Sequence, residues 1–268
     1  MSKEQIIAII VVIFILIRTF IIEPNAIEVK NYEIEDRALA NVKIVFFSDL
    51  HLRKSDYKRL DKIIKLINDQ KPDIVINGGD YAPSRNYKEM MDPDTMATKI
   101  SLIDAPVFTV LGEYDWYANG QEIAKSLQKN GIKVLENSAA RTAVNRRYIN
   151  IVGYADATTR TIKAAKAARG TSKPRILVTH NPDVYYNIMD EYNLILAGHT
   201  HGGQIVIPFT PPIISSSKYK FNKGIVKPGM NTMLITKGLG TTGLKGRFNC
   251  KPEIVVINFV KNSTKNIR

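Results

Sequence analysis

An α/β domain of two packed sheets covered by helices, standing behind an apolar N-terminal helix, is the fold that this 268-residue sequence predicts. Three observations predict it. From Asn41 onward, short β-branched runs alternate with segments of helical periodicity, as in a layered α/β domain. Residues 6–17 form an unbroken apolar run. A hydrophobic share of 44% with 24% charged residues is ordinary for a packed domain and excludes disorder and collagen-like repeats. The single cysteine, Cys250, excludes an internal disulfide scaffold, so a packed core has to supply stability, with or without the help of a metal.

The N-terminal run reaches Ile22 once Arg18 and Thr19 are tolerated, and residues 6–22 make 17 positions. That is about 25 Å of helix at about 1.5 Å per residue, barely enough to span a bilayer. Residues 21–26 offer no small-x-small cleavage pattern, which points to an uncleaved anchor over a signal peptide. The competing reading is a buried core helix. Lys3 flanks one end and Lys30 and Arg37 the other, so charge does not orient the segment. The expected organisation is an anchor over 1–24, a linker over 25–40, a folded domain over 41–260 and a tail over 261–268.

Within the domain, Val42 to Phe47 reads as a strand, followed by a helix on which Leu60, Ile63, Ile64 and Ile67 recur. Strands are expected at Ile74 to Asn77, Val107 to Leu111 and Ile132 to Leu135, with a helix from Glu122 to Gln128 before the last. A hairpin follows, its arms Arg141 to Val144 and Tyr148 to Val152 joined at Asn145 and Arg146. A helix from Thr159 to Ala168 precedes strands at Ile176 to Thr179 and Leu194 to Ala197. Further strands are expected at Gln204 to Ile207, Met233 to Thr236 and Glu253 to Phe259, and 208–217 reads as one long loop.

The chain has four histidines, His51, His180, His199 and His201, and each lies at or just past the carboxyl end of an expected strand. Asp49 and Asp80 occupy equivalent places, Asp80 behind Gly78 and Gly79. In an α/β sheet those ends face one crevice, so groups distant in sequence converge there. Imidazoles with carboxylates suit divalent metals. A single Asp-x-His is more often a turn or a satisfied buried histidine; placing every histidine this way is what argues for a site.

The segments Ser48-Asp49-Leu50-His51, Gly78-Gly79-Asp80, Gly112-Glu113-Tyr114-Asp115, Thr179-His180-Asn181-Pro182 and Gly198-His199-Thr200-His201 resemble the ordered blocks of the calcineurin-like metallophosphoesterases. The likeness runs from Asn41 to Phe259. Later blocks, Gly238 to Thr242 and Pro252 to Ile254, resemble the bacterial membrane-associated phosphodiesterase branch, relatives of which cleave the pyrophosphate of UDP-2,3-diacylglucosamine. The resemblance implies a four-layer sandwich of two mixed sheets flanked by helices. It implies two divalent ions, manganese, iron or zinc, with Asp49, His51 and His201 on one, Asp80 bridging, and His180 with His199 on the second. It also implies hydrolysis of a phosphodiester or pyrophosphate at the bacterial inner membrane, on a side left open. Such a pair of cations holds a phosphate and makes water nucleophilic near neutral pH.

One block departs from the family pattern. Where the family has Gly-Asn-His-Asp, this chain has Glu113 at the amide ligand of the second metal and Tyr114 at the catalytic imidazole, with Asp115 following. Glu113 is expected to coordinate through oxygen, while a phenol, with a reference pKa of about 10, is a poor proton donor near neutral pH. Asp80, Tyr114 and Asp115 are the expected catalytic groups, in a slow enzyme or one confined to good leaving groups. The alternative is a weakened metal-binding pseudoenzyme that holds a phosphorylated ligand or partner without turnover.

The net charge of +13 belongs to residues 31–268, because the first thirty residues carry three bases and three acids. Arg160, Lys163, Lys166 and Arg169 recur every third residue; such a stripe is usually a solvated face, and beside an anchor it also suits anionic headgroups. No nucleic-acid recognition motif accompanies it, so a phosphorylated small molecule or lipid is the expected partner. Trp116, Tyr117 and 208–214 are a candidate apolar wall for acyl chains, against the plainer expectation that they pack locally.

Overall fold

The computed structural model describes residues 1–188, 190–210, 212, 216–227 and 229–261. In chain order the strands are β1 (Glu28–Glu35), β2 (Lys43–Phe47), β3 (Ile74–Asn77), β4 (Val107–Thr109), β5 (Lys133–Val134) and β6 (Ser138–Val144). They continue as β7 (Arg147–Gly153), β8 (Arg175–Thr179), β9 (Leu194–Ala197), β10 (Gly224–Val226), β11 (Met233–Ile235) and β12 (Glu253–Val260). They form two six-stranded sheets, ordered β1-β12-β2-β3-β4-β5 and β10-β11-β9-β8-β7-β6. Each sheet is mixed: β2 to β5 run parallel with β12 antiparallel to β2, and β11, β9, β8 and β7 run parallel with β6 and β10 antiparallel at the edges.

Alternation along the strands sorts the core into layers. On β2, Ile44 and Phe46 enter the cluster between the sheets, where Ile74, Ile76, Phe108, Ile151, Ile176 and Leu196 join them. Val45 and Phe47 point the other way, into a cluster with Leu60, Ile63, Met96, Ile123 and Leu127. Those last side chains come from helices Tyr57–Asn68, Pro93–Ile100 and Glu113–Lys129, which cover the outer face of the first sheet. The outer face of the second sheet is capped by Val184, Tyr185 and Tyr192 over Leu177 and Ile195. The period-2 pattern of a sheet buried on both faces therefore gives the helix-sheet-sheet-helix sandwich.

Several expectations need correction. The linker over 25–40 contains β1, which pairs in parallel with β12 from Glu28↔Glu253 to Glu35↔Val260. Its mixed sequence, EVKNYEIE, suits an edge strand with one face in solvent and lacks a continuous apolar signal. The helix expected over Thr159 to Ala168 shortens to Ala164–Ala167, because Asp156 accepts the Thr159 N–H and hydroxyl in a turn and Arg160 is drawn onto the Trp116 ring, 3.8 Å from its centroid. The basic stripe is therefore not one regular helix face. Residues 204–207 form no strand; Ile205 makes a single bridge to Phe248. The expected long loop over 208–217 falls partly, and the tail over 261–268 almost wholly, outside the described residues.

The N-terminal helix runs continuously over Lys3–Asn25, its last turns widened to a π-helix at Arg18–Ile22. Its apolar side chains from Ile6 to Ile17 are exposed, so the buried-core-helix alternative does not hold. The foot of the helix, by contrast, is built into the domain. Thr19 and Glu23 are buried, the Thr19 carbonyl accepts the Arg247 N–H at 2.9 Å, and Glu23 accepts the backbone N–H of Cys250. Gly246 packs so close to Phe20 that a Cβ there would lie 2.8 Å from the ring.

Candidate metal centre

All four histidines and both aspartates that the strand-end argument selected meet at the carboxyl ends of β2, β3, β8 and β9. The ligand atoms of Asp49, His51 and His201 lie within 4.8 Å of one another, as do those of Asp49, Asp80 and His180. Asp49 belongs to both groups, and all five side chains are buried. The two groups are joined at Asp80 as well: its Oδ2 stands 3.2 Å from Nε2 of His180 and 3.8 Å from Nε2 of His51. His199 is adjacent to the second group, its Nδ1 3.3 Å from Nε2 of His180.

The backbone that delivers these groups is strained. Asp49 (φ 55), His51 (φ 45), Asp80 (φ 58), His199 (φ 69) and His201 (φ 51) all adopt the left-handed region, uncommon for residues with a Cβ. Each such residue costs about 1–3 kcal/mol and persists only where its surroundings over-determine it. They do so here: the N–H groups of Asp49 and His51 bond the carbonyls of Gly79 and Asp80, and His199 N–H bonds Asp49 Oδ1 at 3.0 Å. Gly112 is required for a different reason, since a Cβ on it would strike the Asp80 carboxylate and lie 2.8 Å from the His180 ring.

The donor set fits divalent cations. His51 Nδ1 and His180 Nδ1 each sit 2.8 Å from a carbonyl oxygen, of Ala82 and Gly78. Those bonds put the hydrogen on Nδ1 and aim the Nε2 lone pair into the cluster, which is how a ligating histidine is held. His51 Nε2 and His201 Nε2 then face each other at 3.1 Å, and Asp49 Oδ2, fully buried, has no hydrogen-bond partner. Buried acceptors left facing one another are costly unless a cation lies among them. Electrostatics agrees: burial lowers His51, pushes His199 down to about 4 and, with the neighbouring His51, carries His201 well below the ordinary value. These imidazoles are neutral and able to ligate. Burial pushes Asp49 up to about 6, whereas the charge of Asp80 overcomes burial at His180 and raises it well above the usual histidine range.

The remaining expected site residues separate. Tyr114 lies at the cluster: its N–H bonds Asp80 Oδ1 at 2.9 Å, its ring stands edge-on to His51, and its hydroxyl accepts from Thr242 at 2.9 Å. Glu113 is half-buried and joins neither ligand group; burial raises its pKa, and Thr158 is its hydrogen-bond partner. Asp115, expected among the catalytic groups, has another place. It is completely buried and accepts the N–H groups of Asp80, Tyr81, Ala82 and Gly112 at 2.8–3.0 Å, so it clamps the loops that carry the site and does not face reacting atoms. Trp116 and Tyr117 pack under Arg160 and Arg85 respectively, with Tyr117 still exposed, and positions 211, 213 and 214 of the segment expected to join them as an apolar wall lie outside the described residues.

Three contributors escaped the sequence reading. Arg247 is fully buried and donates to the carbonyls of Lys237, Gly238, Gly240 and Cys250. Gln204, also buried, holds Thr242 N–H and the carbonyls of Thr242 and Leu244. Asp156 follows the carboxyl end of β7, has an unpartnered buried Oδ1, and bears electrostatically on His180 and His199. Only Asp156 carried a legible signal, its place at a strand end.

Comparison with known proteins agrees with this geometry. The model of the calcineurin-like phosphoesterase family matches residues 42–203. Phosphodiesterase YaeI of Escherichia coli (strain K12) is 32% identical over 231 residues, 82% of this chain and 83% of that protein. The uncharacterized metallophosphoesterase YkuE of Bacillus subtilis (strain 168) is 31% identical over 254 residues, 88% of this chain and 86% of its own. A transmembrane protein with metallophosphoesterase domain from Danio rerio is 26% identical over 238 residues, 82% of this chain and 53% of that protein.

Proposed function

The chain belongs to the calcineurin-like phosphoesterase family, and we propose that it is a membrane-anchored hydrolase of a phosphodiester or pyrophosphate bond working with two divalent cations. The observation that carries the reading is the buried cluster in which Asp49 Oδ2 lacks any partner while four imidazoles and Asp80 surround it. In this reading Asp49, His51 and His201 hold one cation, Asp80 is shared, and His180 with His199 hold the other. Manganese, iron and zinc all suit that donor set better than calcium. The cations supply Lewis acidity toward a phosphoryl oxygen and an acidified water.

The chain's own groups position this chemistry. Asp115 fixes the backbone of Asp80 and Gly112, and the Tyr114 N–H fixes Oδ1 of Asp80, so the shared carboxylate has one orientation. With Thr242 donating to it, the Tyr114 hydroxyl keeps its hydrogen for the substrate's leaving oxygen. A phenol in that role favours leaving groups that depart with little help, such as a nucleotide or phosphate. The diester class is supported by the name of the E. coli relative. A lipid-linked nucleotide such as UDP-2,3-diacylglucosamine meets both demands, and its acyl chains would stay in the bilayer beside the exposed apolar helix. The inner membrane of a bacterium, with the domain on the cytoplasmic face where nucleotide-linked precursors are made, is the matching location.

Elemental analysis of the full-length protein in detergent, paired with turnover of bis(4-nitrophenyl) phosphate and of UDP-2,3-diacylglucosamine, tests this reading. Two cations per chain and hydrolysis that Asp80→Asn lowers at least about 100-fold are expected. Two cations with no hydrolysis of either compound would instead establish a binding module, the reading that Glu113 and Tyr114 motivate.

A further inference from the structure

Between the metal-facing cluster and the foot of the N-terminal helix lies a cavity of about 160 Å³, ample for a phosphate group. Its lining includes His51 from the candidate ligands, Pro24 and Asn25 from the helix foot, and the cations Arg53, Arg59 and Lys245. Asp56 is the one carboxylate on the lining, and its Oδ2 already accepts the backbone N–H of Arg53 at 2.8 Å. Among the described residues no carboxylate comes within ion-pair distance of Arg53, Arg59 or Lys245. Arg59 donates to the carbonyl of Leu239, which sets its guanidinium in the wall. Burial lowers its pKa to about 10, so it stays charged at neutral pH.

Three cations share this lining with a single carboxylate, Asp56, whose charge bears on Arg59, so the cavity keeps an excess of positive charge. Guanidinium groups lining a phosphate-sized space, that of Arg59 fixed by the Leu239 carbonyl, suit a phosphate through charge-assisted hydrogen bonds. The position narrows the ligand further. The cavity shares His51 with the metal-facing cluster but none of the other candidate ligands, so a group bound in it lies beside the reacting phosphorus. Pro24 and Asn25 end the helix, and that helix foot is fastened by Glu23 to Cys250, whose thiol bonds the His201 carbonyl at 3.2 Å. The distance from the apolar helix to the cavity is therefore fixed by the fold.

We propose that this cavity is an anion subsite for a second, uncleaved phosphate of the substrate, bound by Arg59, Arg53 and Lys245 at the foot of the helix. The proposal rests on the hydrolase reading and adds that the substrate carries two phosphorus groups, as a pyrophosphate does.

Calorimetric titration of the metal-loaded, full-length protein in detergent micelles tests it, with methylenediphosphonate as a two-phosphorus probe that resists hydrolysis and methylphosphonate as the one-phosphorus control. Arg59→Gln and Lys245→Gln should each weaken methylenediphosphonate by about tenfold, the loss of one hydrogen bond to a charged group, with methylphosphonate changed less than about twofold. Lys245 is exposed, so its variant keeps the test valid should Arg59→Gln fail to fold. Equal losses for both probes, or no loss for either, would overturn the subsite. Such a failure in protein that still hydrolyses bis(4-nitrophenyl) phosphate condemns the subsite alone, whereas wild-type protein without hydrolysis condemns the underlying reading. Displacement of the probe by CDP-diacylglycerol in nanodiscs but not by CDP-glycerol in solution would assign the second phosphate to a membrane lipid. The reverse would assign it to a soluble compound.

Discussion

Asp115 and Arg247 do the same work with opposite charge in two halves of the site. Asp115 gathers four backbone N–H groups, from Asp80, Tyr81, Ala82 and Gly112. Arg247 gathers carbonyls, from Lys237, Gly238, Gly240 and Cys250. Each replaces the regular ladder that irregular backbone lacks, and each is fully buried. The difference lies in what they hold. Asp115 grips the N–H of a candidate ligand itself, whereas Arg247 chiefly grips a segment that backs Asp49, through Leu239 N–H on the Ser48 carbonyl and Gly240 N–H on the Asp49 carbonyl, and meets a candidate ligand only at the edge of hydrogen-bond distance, its Nη2 3.5 Å from His201 Nδ1. Cation binding should therefore depend more steeply on the first clamp, and the fastening of the helix foot on the second.

The largest expected effects break one clamp at a time. Asp115→Asn keeps one acceptor oxygen and sets an amide N–H₂ against backbone donors, so at least one buried N–H loses its partner. A loss of about 3 kcal/mol in urea unfolding is expected, together with metal binding weakened about 10- to 100-fold. Arg247→Lys replaces a planar five-donor fork by a point charge that cannot reach four carbonyls. It should lower stability by about 2 kcal/mol, but weaken metal binding less than about threefold by equilibrium dialysis. Comparable losses of metal in both variants would erase the distinction between gripping a ligand and backing one.

The two clamps were also unequally visible beforehand. Asp115 belongs to a recognisable block, although its type alone suggested chemistry and the structure gives it four backbone partners. Arg247 gives no sign of its burial, because a lone arginine in a Gly- and Lys-containing loop reads as solvated. The same contrast runs through the fold. β3 and β9 were legible to the residue, since strands buried on both faces are continuous apolar runs. β1 was not, since its partner β12 lies more than two hundred positions later and its own face is half polar. Helix Pro93–Ile100 had an unused signal, Asp92 as N-cap with Pro93 in the first turn. The histidines converge because strand ends do. Their left-handed backbone was invisible, because in these residues it is imposed by tertiary contacts and not by any local preference.

A smaller and opposite effect sharpens the comparison on the ligand side. Glu113 and Tyr114 open the helix Glu113–Lys129, whose N-cap Gly112 Asp115 clamps, yet their side chains take no part in the clamp. Replacing them together, Tyr114→His with Glu113→Asn, should leave stability within about 0.5 kcal/mol and raise turnover of an alkyl phosphodiester by about 100-fold, the lower end of what a well-matched general acid contributes. Activated aryl diesters should gain far less, because their leaving groups need no proton. An equal gain on both substrate types would mean that the two residues limit cation binding and not proton donation.

The smallest expected effect probes the second clamp where it meets the helix. Glu23 is buried and has two partners: the Cys250 N–H, and Arg18 Nε at 3.3 Å. The Arg18 side chain is 40% exposed, so water screens that ion pair and its worth is small. The Cys250 bond is the one that matters, and a neutral amide oxygen accepts it as well as a carboxylate does. Glu23→Gln should therefore cost about 0.5 kcal/mol, whereas Glu23→Ala, which orphans a buried N–H, should cost about 1–2 kcal/mol. If the two substitutions are equally damaging in chemical denaturation, charge and not the hydrogen bond fastens the helix foot. The Arg18 contact, which also reaches Asn249 at 2.8 Å and lies over the Phe248 ring, would then be the true link between the helix and the segment that Arg247 organises.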